Sequence, residues 1–187
     1  MKNKKIIFVE GLWKSGKSTF IQDLKNKYQL KNIDEPSHTH DLALVTPKEI
    51  SGWYLREHYK NIDKAINTLN ASSTSISIIE RSPLSSLAFI STYQPELFEG
   101  RELLKEFIEK INILEERNIE MAFVFLKQDN FLQIVERMKS DLNTKQYAID
   151  LNKLQIFIQK LEELLLKLQR EKHIEVLFSP DPQEIDI

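Results

Sequence analysis

One stretch near the start of the chain combines glycine, lysine and hydroxyl residues at a spacing that suits phosphate binding. It reads Gly11-Leu-Trp-Lys-Ser-Gly16-Lys17-Ser18 and satisfies the pattern G-x-x-x-x-G-K-[ST]. The glycines let the backbone curl, so that successive N–H groups and the positive end of the following helix point at one anion. We therefore predict a phosphate-binding loop, or P-loop, that holds a nucleoside triphosphate.

The side chains of this loop have separate expected roles. Lys17 is expected to face solvent and to reach the β- and γ-phosphates, whereas the Ser18 hydroxyl is expected to coordinate Mg²⁺. We predict ATP with Mg²⁺ as the donor, held by Gly11, Lys14, Ser15, Gly16, Lys17, Ser18 and Thr19. The alternative is a glycine-rich turn that precedes a helix and binds nothing.

Two charged residues follow an apolar strand further along the chain. Glu80 ends the run from Ser75, and Arg81 comes directly after it. A nucleotide-hydrolysing or phosphate-transferring site needs a carboxylate near the metal, so Glu80 is predicted as a second metal ligand beside Ser18. Arg81 would then lie at the carboxyl edge of the sheet, where ligands bind in open α/β folds. A surface ion pair before Pro83 is the alternative.

Strand-length apolar runs alternate with segments of helical period, which predicts an α/β fold with a mostly parallel sheet. The predicted strands are Lys5–Glu10, Asn32–Glu35, Ser75–Glu80, Glu120–Leu126 and Ile174–Phe178. The predicted helices are Ser18–Tyr28, Lys48–Leu69, Pro83–Thr92, Arg101–Arg117, Asn130–Leu142 and Asp150–Lys172. With 187 residues, one domain is expected.

Composition excludes several classes of protein. The net charge is −2, which disfavours a dedicated nucleic-acid or membrane-surface binder. The chain has no cysteine, so disulfides, thiolate catalysis and cysteine-ligated metals are excluded. The first apolar run is too short for a signal peptide, and a cytoplasmic protein is expected.

Several motifs together resemble the P-loop kinases of deoxynucleosides and of thymidylate. They are Val9-Glu10-Gly11 through Thr19, Glu80-Arg81-Ser82, Ser85-Ser-Leu-Ala-Phe89, Leu126-Lys-Gln-Asp129 and Glu136-Arg137-Met-Lys139. The resemblance implies a three-layer P-loop NTPase fold with a five-stranded parallel sheet and helices on both faces. It also implies one kinase domain over residues 1–187, with a helical lid at about 137–149. The activity implied is transfer of the ATP γ-phosphate to a nucleoside or nucleoside monophosphate.

The resemblance also suggests residues for the acceptor side. Glu35, before Pro36, matches the base that takes the proton of the 5′-hydroxyl in deoxynucleoside kinases, and Arg81 would bind the acceptor oxygen. On the next helix Trp53 and Arg56 share a face, and they are expected to contact the acceptor base. The alternative is that Trp53 and Tyr54 are core aromatic residues and that Arg56 is their solvated neighbour.

Two residues of the loop depart from the thymidylate kinase pattern. Trp13 stands where those enzymes have an aspartate that meets the acceptor sugar, and it offers a flat surface instead. Lys14 occupies the place of a catalytic arginine. In the lid, Arg137 is present, but Asp141 and Asn143 stand where another arginine is expected. Transition-state charge is therefore expected to be met from Lys14 and Arg137.

Three alternatives stay open from the sequence. A kinase of a non-nucleoside metabolite would carry the same loop and lid, and a GTPase-type switch would need D-x-x-G after the metal-binding strand, where this chain has Glu80-Arg-Ser-Pro83. A binding module without turnover is opposed by the intact Lys17 and Arg81. Related kinases are often dimers, so a homodimer is a further expectation from the resemblance.

Overall fold

The centre of the molecule is one parallel β-sheet of five strands. They are β1 (Lys4–Gly11), β2 (Lys31–Ile33), β3 (Ile76–Glu80), β4 (Ile119–Leu126) and β5 (Glu175–Phe178), in the spatial order β2-β3-β1-β4-β5. The structure is a computed structural model that describes residues 4–28, 30–36, 46–71, 75–97, 100–127, 130–142, 144–179, 181 and 185. The predicted α/β fold with a parallel sheet is confirmed.

Six α-helices surround the sheet. They are α1 (Lys17–Tyr28), α2 (Pro47–Ala71), α3 (Pro83–Tyr93), α4 (Gly100–Glu116), α5 (Phe131–Lys139) and α6 (Leu151–Lys172), with a short 3-10 helix at Pro95–Leu97. Each predicted element is present, and most ends differ by only one or two residues. None of the helices in the described ranges is long and apolar enough to cross a membrane.

Two of the differences have local causes. The helix predicted to run to Leu142 ends at Lys139, because the Asp141 carboxylate accepts the Thr144 backbone N–H (3.2 Å) and stabilises a turn instead. The strand predicted to reach Glu35 ends at Ile33, because the Asn61 side-chain amide donates to the Asp34 carbonyl (3.1 Å). The residues that follow Lys139 and Ile33 therefore lie in loops, where their side chains do not follow the spacing of a helix or a strand.

The sheet separates two apolar cores of unequal size. Along β1, Ile7 and Val9 face α1, whereas Ile6 and Phe8 face the helices on the opposite side. Burial on both faces is typical of a central parallel strand. Residues of α2, α3, α4, α5 and α6 contribute to the larger core. Helices thus lie on both faces, as predicted.

The register of β1 and β3 brings the predicted site residues to one edge. Val9 pairs with Glu80, and the Arg81 backbone N–H donates to the Val9 carbonyl (3.0 Å) just beyond the strand end. Gly11 and Arg81 consequently leave neighbouring strands at the same height. The P-loop and the charged residues after β3 meet there, as the sequence predicts.

Candidate active site

The loop between β1 and α1 has the backbone of a phosphate cradle. Gly11 and Gly16 have φ values of 141° and 92°, which side-chain-bearing residues rarely adopt. At Gly11 a Cβ atom would also lie 3.0 Å from the Leu126 carbonyl oxygen, so only glycine fits. Lys14 has a φ of 61°, a left-handed conformation without the freedom of glycine. A strained backbone of this kind, as at Lys14, persists only where surrounding contacts hold it, and such residues cluster at functional sites.

Lys17 lies inside this loop. Its side chain is only 5% exposed, and its Nζ donates to the Leu12 carbonyl (2.9 Å). The expectation that Lys17 faces solvent is therefore wrong, because the loop folds back over it. Burial and the nearby charge of Arg81 lower the pKa of Lys17 to about 8. A phosphate arriving at the loop would supply the counter-charge that the carbonyl only partly provides.

Arg81 is the centre of the site beyond the loop. It is 3% exposed and has a φ of 65°. Its Nη1 donates to the Gly11 carbonyl (3.0 Å) and to Ser85 Oγ (3.3 Å), and its Nε lies 2.6 Å from Glu35 Oε1. Its Nη2 is buried and has no hydrogen-bond partner within the described residues. That atom is the part of the guanidinium left to meet a ligand.

Glu35 lies beside Arg81 and keeps access to solvent, because 31% of its side chain is exposed. Burial raises the pKa of Glu35, but Arg81 and Lys17 outweigh burial and bring the pKa below its ordinary value. The carboxylate is therefore ionised at neutral pH and can accept a proton from a group placed next to it. The structure thus brings together Glu35, Arg81 and Lys17, three of the residues predicted as catalytic.

The two predicted metal ligands line one cleft. Ser18 and Glu80 belong to the walls of a space of about 410 Å³, which Glu35 and Asp34 also border. Burial raises the pKa of Glu80, and Lys17 opposes that rise. A hydroxyl and a carboxylate are the oxygen ligands that Mg²⁺ takes from proteins, with water and phosphate oxygens completing its shell. The donor set therefore fits Mg²⁺.

Glu10 is a charged residue of the site that the sequence reasoning did not select. It is fully buried at the end of β1, where its Oε1 accepts the Ser82 backbone N–H (2.7 Å) and its Oε2 accepts the Ser85 hydroxyl (2.5 Å). Burial raises its pKa, against the opposing influence of Arg81 and the two serines. A single acid inside an otherwise apolar strand was the available signal, since such residues are almost never buried without partners.

An aromatic cluster borders the guanidinium. The Trp13 ring lies 5.3 Å from Arg81 Cζ and stacks on Tyr147 with ring centres 4.9 Å apart. It also stacks on Phe157 at 5.2 Å and meets Phe89 edge to face at 6.1 Å. The Trp13 ring, which was expected to offer a flat surface to the acceptor, is stacked against Tyr147 and Phe157 in this structure. Tyr147 was not selected from the sequence.

The next residue of the loop also contacts the segment after α5. Lys14 Nζ lies 2.5 Å from Asp141 Oδ2, while Asp141 Oδ1 accepts from Thr144. Lys14 was predicted to act on the donor phosphates, and in this structure its ammonium group is paired with a carboxylate. Trp13 and Lys14 together therefore join the P-loop to Tyr147 and Asp141, which follow α5.

Helix α2 presents different residues to the site than the sequence suggested. Arg56 is exposed, and Trp53 is half-buried with its ring against Tyr54. The charges of Glu35 and Arg81 act instead on Tyr54 and His58, which lie one helical turn apart. His58 is buried, its Nδ1 has no partner in the described part of the chain, and burial lowers its pKa to about 4.

The remaining predicted residues lie on α5, in the P-loop, at the start of α1 or outside the described residues. Arg137 is exposed near the end of α5, and Lys139 is paired with Glu136 (2.7 Å). Asp129 of the L-x-x-D motif and Asn143 are outside the residues that the structure describes. Ser15 is buried in the loop, and Thr19 is exposed at the start of α1.

The parallel sheet with a glycine-bordered loop between β1 and α1 defines the P-loop NTPase fold. A family model described as the KAP family P-loop domain matches residues 1–179, and the chain belongs to this family. A search of curated proteins finds no match.

Solved structures with the same fold include nucleoside and nucleotide kinases. Deoxyadenosine kinase from M. mycoides with bound dATP is 16% identical, with a TM-score of 0.57 over 98% of this chain and 92% of that chain. The same enzyme with dCMP and a flexible dCDP gives 0.63 at 16% identity, over 97% and 92%. Thymidylate kinase from Candida albicans gives 0.57 at 17% identity, over 94% and 84%. At these identities the likeness shows the fold alone, and it confirms the resemblance stated from the sequence at that level.

Proposed function

We propose that this chain is an ATP-dependent kinase that phosphorylates a nucleoside or a nucleoside monophosphate, with the hydroxyl of a deoxynucleoside as the favoured acceptor. The observation that carries the proposal is the contact between Glu35 and Arg81 at 2.6 Å, beside the buried Lys17. A base, a planar cation and a phosphate-binding lysine meet there at the carboxyl edge of the sheet. The kinases with this fold support the same class of reaction.

The P-loop holds the donor in this proposal. Backbone N–H groups around Gly16 and the Lys17 ammonium group bind the ATP phosphates. Ser15, just before α1, and Thr19, in the first turn of α1, complete the proposed phosphate site. Ser18 and Glu80 would hold Mg²⁺, which neutralises charge on the phosphates when bound. Arg137 reaches the donor from the predicted lid, at about residues 137–149.

On the acceptor side, Glu35 takes the proton as the hydroxyl oxygen bonds to the γ-phosphorus. The bond from that phosphorus to the β,γ-bridging oxygen breaks, and ADP leaves. Arg81 orients the acceptor oxygen through Nη2, which has no hydrogen-bond partner among the described residues. The half-buried Trp13 is proposed to contact the acceptor base. Alignment and charge neutralisation are the main needs of phosphoryl transfer, and these residues supply them.

Lys14 bears on the choice between a nucleoside and a monophosphate. A monophosphate acceptor adds a dianion to the transfer path, which calls for extra cations. Lys14, which was expected to meet transition-state charge, could supply such a cation, yet its ammonium group is paired with Asp141 at 2.5 Å. A nucleoside acceptor needs a base and no such cation. The pairing therefore favours the nucleoside.

The test is a phosphotransfer assay with ATP or GTP as donor and Mg²⁺ present. The acceptor panel contains deoxynucleosides, their monophosphates, and aminoglycosides as non-nucleoside acceptors. Wild type should phosphorylate a deoxynucleoside, and Lys17→Ala should lose that activity while keeping its unfolding transition. Activity confined to aminoglycosides, GTP hydrolysis without any acceptor, or full activity of Lys17→Ala would each contradict the proposal.

A further inference from the structure

The buried carboxylate of Glu10 contacts residues outside the phosphate-binding loop. A charge inside the protein is costly unless it is paired and hydrogen-bonded. Both Glu10 oxygens are satisfied, one by the Ser82 backbone N–H at 2.7 Å and one by the Ser85 hydroxyl at 2.5 Å. Ser82 is the N-cap residue of α3, and Ser85 lies in the first turn of that helix. Glu10 therefore joins the end of β1 to the residues that follow Arg81.

The Ser85 hydroxyl continues this contact to the guanidinium. Arg81 Nη1 donates to Ser85 Oγ at 3.3 Å, which leaves the hydroxyl proton of Ser85 for Glu10. The same Nη1 donates to the Gly11 carbonyl at 3.0 Å, one residue after Glu10. Arg81 also has a left-handed φ of 65°, a conformation that needs surrounding contacts to persist. Glu10 supplies two such contacts, through Ser82 and Ser85, both of which follow Arg81 in the chain.

Charge balance gives Glu10 a task that Glu35 cannot perform. Arg81 is 3% exposed, and Glu35 is the carboxylate in direct contact with it. If Glu35 takes the acceptor proton, it becomes neutral and no longer balances the buried guanidinium. Glu10 is buried away from the acceptor, and both of its oxygens accept hydrogen bonds, as those of a carboxylate do. It therefore takes no part in the proton transfer, and its charge can balance Arg81 through the step.

We propose that Glu10 is a positioning residue that holds Arg81 in place and balances its charge while Glu35 accepts the proton. The catalytic half of this inference, the effect of Glu10 on turnover, rests on the proposed function. The structural half, the fixing of Arg81 by Glu10 through Ser85, holds independently of any reaction.

The experiment compares Glu10→Gln with wild type in two measurements. Gln has the shape of Glu and can still hydrogen-bond to both serines, but it has no charge. With a deoxynucleoside acceptor, kcat should fall about 10- to 100-fold while the Kd for ATP stays within twofold. By NMR, exchange of the Arg81 Nε proton with water should become at least tenfold faster in the absence of any ligand.

Two serine variants provide matched controls. Ser85→Ala removes the bridging hydroxyl and should speed Arg81 Nε exchange in the same direction as Glu10→Gln. Ser77→Ala removes a buried hydroxyl of β3 that lies outside this contact, and it should leave both measurements unchanged. Glu10→Asp keeps the charge and should retain a larger part of kcat than Glu10→Gln does.

The outcomes separate the inference from the proposed function. Unchanged Arg81 exchange in Glu10→Gln overturns the inference, whatever the activity. A kcat within twofold of wild type, or a loss of ATP binding equal to the loss of kcat, overturns it as well. Wild type that phosphorylates no acceptor overturns the proposed function instead, and faster Arg81 exchange would then still support the fixing of Arg81 by Glu10.

Discussion

The two sides of the candidate site are built in different ways. The donor side is one continuous loop, Gly11 to Ser18, whose shape comes from backbone conformation at Gly11 and Gly16. The acceptor side is assembled from side chains of separate elements: Glu35 after β2, Arg81 after β3, His58 on α2 and Trp13 on the loop itself. Changes on the donor side should therefore affect every substrate alike, whereas changes on the acceptor side should act on one substrate and spare ATP binding.

Replacing the proposed base should give the largest of the following effects. Glu35→Gln keeps a side chain of the same shape but cannot take a proton, so kcat with a deoxynucleoside should fall about 100-fold. The Kd for ATP, measured by calorimetry, should change little. A kcat within a few-fold of wild type, together with activity on a monophosphate, would remove the base role and make a phosphate the acceptor.

The buried imidazole of His58 should make stability depend on pH. Burial lowers its pKa to about 4 from about 6.5 in the unfolded chain, so between those values the unfolded state binds more protons. The contribution to the free energy of unfolding is full above pH 6.5 and is lost as the pH falls toward 4. From pH 7 to pH 5 it amounts to about 2 kcal/mol.

Urea denaturation at pH 7 and pH 5 checks this, with His58→Gln as the variant that cannot titrate. The variant should lose less stability between the two pH values than wild type does. His173, at the C-terminal end of α6, offers the matched control, and His173→Gln should keep the wild-type difference. Equal pH dependence in wild type and His58→Gln would show that His58 is charged or exposed in the native state.

Changing the shape of the central cation should have a smaller but selective effect. Arg81→Lys keeps a positive charge and loses the planar fork that reaches Gly11, Ser85 and Glu35 at once. We expect kcat/KM for the acceptor to fall at least tenfold, with ATP affinity nearly unchanged. Steady-state kinetics with each substrate varied in turn gives both values. If Arg81→Lys lost only ATP binding, Arg81 would have to be assigned to the donor site instead of the acceptor site.

The smallest expected effect concerns the contact between the two sides. Asp141→Asn frees Lys14 from its ion pair, and the released ammonium group becomes available to the phosphates of ATP. Because partly exposed ion pairs contribute about 0.2–1 kcal/mol, the Kd for ATP should fall about two- to fivefold. Calorimetry at low salt measures it, and Lys139→Gln at the exposed end of α5 serves as control. A raised Kd would show that Asp141 orients Lys14 toward the donor.

The difference between the two sides also explains what the sequence could predict. The strands, the helices and the P-loop follow from local period and a contiguous motif, and these predictions hold. Arg81 and Glu35 could be predicted because strand ends of a parallel sheet meet at one edge. Tyr54, His58 and Tyr147 could not, since the rotation of α2 and the turn held by Asp141 depend on tertiary packing. On α2, helical period alone could not say which side faces Glu35.

Nucleotide binding should be linked to uptake of a proton by Lys17. With a pKa of about 8, close to half of the free molecules carry an uncharged amine there at pH 8. Phosphates placed against that amine favour its charged form, so binding at pH 8 should draw about half a proton from the solvent. Calorimetry would show this as a binding heat that varies with the ionisation enthalpy of the buffer, and ATP affinity should decline as the pH rises through 8.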